Sequence, residues 1–342
     1  MWQLYAGLFW TSLGFIASHW MPSSTPKRLG RLLYWVGVPL QVFALARKSD
    51  FNISLWLPTG IVLGVLILGL GIAVLCIRLT RQASQTWSAS LRRSRQGQTM
   101  ILVTPQGILR QLRAFFVEWF CQKWIHQRPT QGSFILSSML GNTMFIGMAI
   151  APSLTHSSYL GWIVVFGIVH YLFGSYGVGV LLANHYGSTE KQQHWSTRLL
   201  HLFKVPTLWA FGLGYLSQSL IFSDWIDMTL AASLKMGVPS VFFLFGLQLG
   251  TMKIVRNLSS AMIPAILRML IIPCLAGIGL TVFGISGDAR LSLVLMTGMP
   301  TNSANLILAE EYQLDPQLAA GSIVISTLLL PLMIPLWMTL FG

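Results

Sequence analysis

The chain has 342 residues, 54% of them hydrophobic and 9% charged, with a mean hydropathy of +0.66. An ordinary soluble domain carries about 25% charged residues, so this composition excludes one and places the chain among membrane proteins. The net charge of +13 raises nucleic acid as a partner, but Lys and Arg fall in short stretches between apolar runs, as they do in cytoplasmic membrane loops; nucleic acid is set aside.

Apolar stretches long enough to cross about 30 Å of hydrocarbon recur along the chain. They predict ten transmembrane helices: 2–21, 30–46, 57–79, 131–151, 158–183, 205–222, 228–250, 260–284, 290–309 and 318–341. Residues 1–21 lack the basic start and small-residue cleavage site of a signal peptide and read as a retained helix. Cys76, Cys121 and Cys274 are far apart, with no metal-binding spacing, so neither a metal nor a cofactor is expected.

The connections carry the orientation. Lys27 and Arg28 follow the first span. Arg92, Arg93, Arg95, Arg110, Arg113, Lys123 and Arg128 fall in the long segment after the third. Lys191, Arg198 and Lys204 follow the fifth, and Lys253 and Arg256 the seventh. All four connections lie on one side, so both termini are expected outside a bacterial plasma membrane. Within the 81–130 segment, "SLRRSRQGQ" reads as a polar loop. "GILRQLRAFFVEWFCQKWI" reads as an amphipathic helix on the inner surface, or alternatively as a regulatory element. The expected division is 1–80 for three helices, 81–130 for the basic cytoplasmic loop and 131–186 for helices four and five. Residues 187–204 form a linker, and 205–342 hold helices six to ten.

An internal repeat runs through the chain. "LGFI" at 13–16 matches "LGYL" at 213–216, and "GVPLQVF" at 37–43 matches "GVPSVFF" at 237–243, both offset by 200. "MLGNT" at 139–143 then matches "MPTNS" at 299–303, and "GWIV" at 161–164 matches "GSIV" at 321–324, both offset by 160. The offset falls by 40, about the size of the basic segment that only the first half carries. Five spans per half is an odd number, so the second half enters the membrane inverted. This is the 5+5 inverted repeat of secondary transporters, whose sites lie at the midplane on discontinuous helices.

The ninth span contains "MTGMPTNSAN", which breaks an apolar run with Gly298, Pro300, Thr301, Asn302, Ser303 and Asn305. Its partner in the fourth span contains Asn142, Thr143 and Gly147. A helix broken in hydrocarbon must find partners for its backbone groups, and each restart offers unpaired N–H groups and a partial positive charge. Two such restarts with repeat-equivalent asparagines make a cradle for a carboxylate. One Asn in a span is ordinarily interhelical glue; two at equivalent positions favour a site. Arg268, inside the eighth span, either supplies positive potential for an anion, or snorkels or pairs with a carbonyl. His170 reads as a packed histidine.

With these residues the chain resembles the auxin efflux carrier family of permeases. The resemblance is carried by "VGVPLQVF", "GNTMFIGMAI", "GVPSVFFLFGLQLG" and the C-terminal "MPTNSANLILAEEYQLDPQLAAGSIVISTLLLPLMIPLW". It implies an all-α polytopic membrane protein with ten transmembrane helices and broken, crossing fourth and ninth helices, divided into scaffold and transport subdomains. Crossover residues map onto Asn142, Thr143, Pro300, Asn302 and Asn305. Ala149 stands where the family carries a proline, with Pro152 later, so a softer or displaced first break is expected.

The expected activity is alternating-access, elevator-like transport of a small organic anion across the lipid bilayer. The substrate-binding set is Asn142, Thr143, Gly147, Pro300, Thr301, Asn302, Ser303, Asn305 and Arg268. A sodium-coupled bile-acid-type symporter and a non-transporting membrane sensor are the alternatives. Coupling to Na⁺ or H⁺ and homodimer formation are left open. No enzyme motif such as Gly-x-Ser-x-Gly or HExxH occurs.

Overall fold

The structure is a computed structural model and describes residues 2–22, 24–51, 55–95, 127–188, 205–251 and 258–342. The expected amphipathic helix at 107–125 lies outside them, as do Lys191, Arg198, Lys204, Lys253 and Arg256. The described residues form twelve helical segments and one isolated β-bridge. They are α1 (Trp2–Ala17), α2 (Thr25–Lys48), α3 (Trp56–Arg95), α4 (Arg128–Met139), α5 (Thr143–Ser153), α6 (Ser157–Tyr186), α7 (Pro206–Leu216), α8 (Asp224–Thr251), α9 (Leu258–Val282), α10 (Gly287–Thr297), α11 (Ala304–Glu311) and α12 (Pro316–Phe341). Six are long and apolar enough to cross a membrane: α2, residues Trp56–Gln82 of α3, α6, α8, α9 and α12.

The expected fourth and ninth spans are each split in two, α4 with α5 and α10 with α11. The third span runs further than the 57–79 expected, as far as Arg95. The polarity of its last turns resembles a loop, but no Gly or Pro occurs between Arg81 and Gln96, so nothing there stops a helix.

Four stretches widen into π-helix: Leu33–Gly37 in α2, Thr143–Gly147 in α5, His170–Gly179 in α6 and Leu267–Ile271 in α9. Two of them stand just before Pro39 and Pro273. Proline has no N–H to donate and its ring crowds the preceding turn, so the helix widens to accommodate it.

The helices pack in two groups. In one, α1 lies along α8 and α7 along α2. Close approach in a membrane depends on small residues, since lipid leaves no hydrophobic drive between helices. A Cβ on Gly14 would overlap the Phe243 carbonyl and meet Leu247 N at 3.0 Å, and one on Gly246 would overlap the Thr11 carbonyl. In the other group, α4 packs on α3, α6 and α12, and α10 packs on α6, α9 and α12. The buried core centres on this second group, with Phe134, Phe166, Leu140, Ile146 and Trp337 all below 2% exposed.

The groups meet at the end of the helices where Asp50 and Phe51 follow α2. A Cβ on Gly161 of α6 would stand 2.8 Å from the Asp50 carbonyl oxygen. Gln218 ties that end of α7 to α2 by donating to the carbonyls of Ala46 and Ser49, both at 2.7 Å. Arg47 donates to the Ser217 and Leu220 carbonyls and stacks on Phe222.

Candidate functional site

The two helix breaks are joined by their backbones. Asn142 N–H donates to the Pro300 carbonyl at 2.7 Å, and Asn302 N–H donates to the Leu140 carbonyl at 3.0 Å. Between these bonds, Gly141 and Thr301 face one another in an antiparallel bridge. Adding 160 to the first donor, Asn142, gives the second, Asn302; subtracting 160 from the first acceptor, Pro300, gives the second, Leu140; and Gly141 corresponds to Thr301. The first break is not displaced: it falls at 140–142, at the repeat-equivalent place, and is shorter than the second at 298–303. The chain leaves the helix at Met139 and re-enters it at Thr143 with no proline between. The second break supplies the hydrogen bonds that let the first one form.

A break in hydrocarbon frees the last carbonyls of the helix before it, and each left unpaired costs several kcal/mol. At the end of α4 the second break pairs them with side chains. Thr301 Oγ1 donates to the Ser137 carbonyl at 3.0 Å, and Asn305 Nδ2 adds a bond of 3.0 Å to the Leu136 carbonyl, which also accepts from Leu140 N–H. Thr301 N–H is held in turn by Ser326 Oγ at 3.0 Å. Arg268, with no exposed surface, donates from Nη1 to the Met139 carbonyl at 2.9 Å and from Nε to the Met299 carbonyl at 3.0 Å.

Beyond the breaks, α5 and α11 begin. Asn142 Oδ1 accepts from Phe145 N–H at 3.2 Å, and Asn302 Oδ1 accepts from Ala304 N–H at 3.1 Å. Each asparagine therefore caps the half-helix that follows it, an arrangement that Asn favours because its short side chain reaches the second or third N–H of the turn. Asn302 Nδ2 also donates to Ser175 Oγ at 3.1 Å.

Both starts face a cavity of about 530 Å³ between the two helix groups. Its near wall holds Asn142, Phe145, Ser175, Asn302 and Ser303; its far wall holds Tyr34 and Val38 of α2, Thr207 of α7, and Phe245 and Gln248 of α8. Most of the wall is apolar; polar groups lie on both sides, with Asn142, Ser175, Asn302 and Ser303 on the near wall and Tyr34, Thr207 and Gln248 on the far wall. Gly30, Thr207, Val180 and Gln248 lie near the helix ends that lead to 22–24, 189–204 and 252–257. The cavity therefore occupies the half of the molecule that carries the basic connections.

Of the residues expected from sequence, Asn142, Asn302 and Ser303 line the cavity. Thr143 is buried behind it, its hydroxyl 3.3 Å from His170 Nδ1. Gly147 packs on Met296, where a Cβ would stand 2.9 Å from Sδ. Pro300, Thr301, Asn305 and Arg268 belong to the break and do not line the cavity. The lining also includes residues that sequence reasoning missed: Tyr34, Tyr171, Tyr176, Gln248 and Glu311. Tyr171 and Tyr176 stand edge to face, ring centroids 5.1 Å apart. Three of the four π-helical stretches supply lining residues. Gly37 with Pro39, and the glycines at 174, 177 and 179, are the sequence signal that could have pointed to them.

This arrangement, an all-helical molecule with apolar helices and paired breaks beside an internal cavity, is that of a membrane transport protein. Residues 196–338 match a family model described as membrane transport protein. An uncharacterized transporter of Methanothermobacter thermautotrophicus is 29% identical over 209 residues, covering 56% of this chain and 66% of that protein. An uncharacterized transporter of Methanocaldococcus jannaschii is 29% identical over 217 residues, covering 60% of this chain and 67% of that protein. The matched region thus spans about two-thirds of the length of these relatives. The match, over less than half of the chain, and the relatives support an integral multi-pass membrane transport protein.

Proposed function

We propose that the protein is a secondary transporter that moves a small organic anion, a carboxylate, by elevator-like alternating access. The observation that carries this reading is the pair of capped half-helix starts, at Asn142 and Asn302, facing one cavity. Each start brings roughly half a positive charge and N–H donors, which suits a carboxylate without a full charge in the wall. The apolar remainder of the lining suits the rest of an amphipathic anion.

Ten crossings in a 5+5 inverted repeat fit the molecule if α4 with α5 and α10 with α11 each count as one crossing. The exchange of the two bridge bonds by a shift of 160 supports that symmetry. The group α1, α2, α7 and α8 would act as scaffold. The group α3–α6 and α9–α12 would carry the site past it. The basic connections favour a bacterial plasma membrane with both termini outside, and so a cavity open to the cytoplasm.

A sodium-coupled symporter is the second reading. It is favoured by Ser137 Oγ, Asn305 Oδ1 and Thr327 Oγ1, buried oxygens at or near the breaks with no hydrogen-bond partner among the described residues. Counterflow of radiolabelled carboxylates in proteoliposomes, with and without Na⁺, tests both. Carboxylate exchange independent of Na⁺ supports the first reading. A strict Na⁺ requirement moves the assignment to the second, and absence of counterflow for every carboxylate contradicts the anion assignment.

A further inference from the structure

We infer that Arg268 is a positioning residue that locks the two helix breaks to each other and so presents Asn142 and Asn302 to the cavity. Arg268 does not line the cavity and has no exposed surface, so it does not meet an anion there. Its two bonded carbonyls, Met139 and Met299, are 160 positions apart and repeat-equivalent. Each is the residue just before one of the bridge acceptors, Leu140 and Pro300. The guanidinium therefore holds the chain on both sides of the bridge, one residue from the bonds that fix Asn302 and Asn142.

The chemistry suits this role. Two helices, α4 and α10, end here, and each C-terminal end carries about half a negative charge with unpaired carbonyls. A planar, permanently charged group with donors in a fixed fork can collect carbonyls from both ends at once. A buried charge is costly unless it is paired and hydrogen-bonded, so the arginine and the carbonyls depend on each other. Gly141 supplies the space: a Cβ there would overlap the guanidinium. The repeat-equivalent position, Thr301, has a side chain and uses it to hold α4. The two breaks thus divide the work, one yielding room for the arginine and the other supplying bonds.

The consequence for transport rests on the reading above, but the lock itself is tested without substrate. Hydrogen–deuterium exchange of the full chain in nanodiscs is followed by mass spectrometry. In Arg268→Ala, peptides covering 140–147 and 300–306 are expected to exchange at least about tenfold faster, as loss of two bonds from a charged donor implies. Peptides of α1 and α8 are expected to keep their wild-type rates. Guanidinium ion, added far below denaturing concentration, is expected to slow exchange again in Arg268→Ala. Arg268→Lys, which keeps the charge but not the fork, is expected to fall between wild type and Ala.

Gly141→Ala, in which the new methyl displaces the guanidinium, should reproduce the pattern, and adding it to Arg268→Ala should change nothing further. Unchanged exchange at both breaks in Arg268→Ala and Gly141→Ala overturns the inference. So does an equal rise across every helix, which would make Arg268 a general stability residue. If the exchange pattern is as expected and wild-type proteoliposomes move no carboxylate, the lock stands and the transport reading falls.

Discussion

Gly141 and Thr301 face each other across an antiparallel bridge in the middle of a helical protein, and their positions differ by the 160 residues that separate matching motifs in the two halves of the chain. Each break supplies one N–H and one carbonyl to the other, Asn142 to Pro300 and Asn302 to Leu140. Neither break can satisfy its backbone alone in hydrocarbon. The pair can, and the same bonds place one asparagine at each half-helix start.

The two asparagines should not be equally sensitive. Asn302 caps α11 and also donates to Ser175, whereas the cap is the one side-chain hydrogen bond of Asn142 among the described residues. Loss of a cap costs about 1 kcal/mol, and the buried Ser175 bond adds a similar amount. Asn302→Ala is expected to lower initial transport rates by about tenfold or more, and Asn142→Ala by less. Rates in proteoliposomes made with matched amounts of folded protein check this; normal flux in Asn302→Ala would remove the cradle from the account.

The contact of α1 with α8 should be intolerant of added bulk. A side chain at Gly246 meets the backbone of Thr11 and Phe15, which cannot yield as a flexible side chain can. Overpacking of this kind costs about 1–3 kcal/mol, so Gly246→Val should lower the unfolding temperature in detergent. Substitution at Gly60 or Gly64, where a Cβ meets nothing within 4 Å, should leave it unchanged.

Access to the cavity should be one-sided. Ser303 is exposed and lines it. In a background with Cys76, Cys121 and Cys274 replaced by serine, Ser303→Cys should react with a membrane-impermeant maleimide added from the cytoplasmic face and resist the same reagent from outside. Rapid labelling from outside would reverse either the orientation or the state assigned to the cavity.

Gly161 should govern that state. It lies where the two helix groups touch at the end opposite the cavity, against the Asp50 carbonyl. Gly161→Leu would force that contact apart. The expected result is several-fold slower cytoplasmic labelling of Ser303→Cys and faster labelling from the other side. Equal rates with and without the substitution would show that this contact does not hold the outer end closed.

The breaks were legible in the sequence, for particular reasons, whereas only Asn142, Asn302 and Ser303 of the expected residues line the cavity. Gly298 and Pro300 in an apolar run announce the second break, because proline cannot continue the hydrogen bonding of a helix. The first break has no such residue and is visible only as the partner of the second at an offset of 160. Carbonyl pairing was one reading of Arg268 from the sequence, but which carbonyls it holds was not legible. Both its bonds are to backbone carbonyls, 129 and 31 residues away, and no side-chain pattern marks a carbonyl as a partner. The aromatic wall was missed too: Tyr34, Tyr171 and Tyr176 lie in π-helical stretches, where the register that assigns a residue to a helix face shifts. The end of α3 was misjudged because polarity suggested a loop where helix propensity was undisturbed as far as Arg95.

The central claim, that the paired half-helix starts bind and move a carboxylate, is tested most directly by charge movement on a solid-supported membrane. Wild-type proteoliposomes and Asn302→Ala proteoliposomes would receive the same carboxylates, with and without Na⁺. The account predicts a carboxylate-evoked current in the wild type that persists without Na⁺ and falls by about tenfold or more in Asn302→Ala. A current of equal size in the variant, arising from protein shown to be folded, would contradict it.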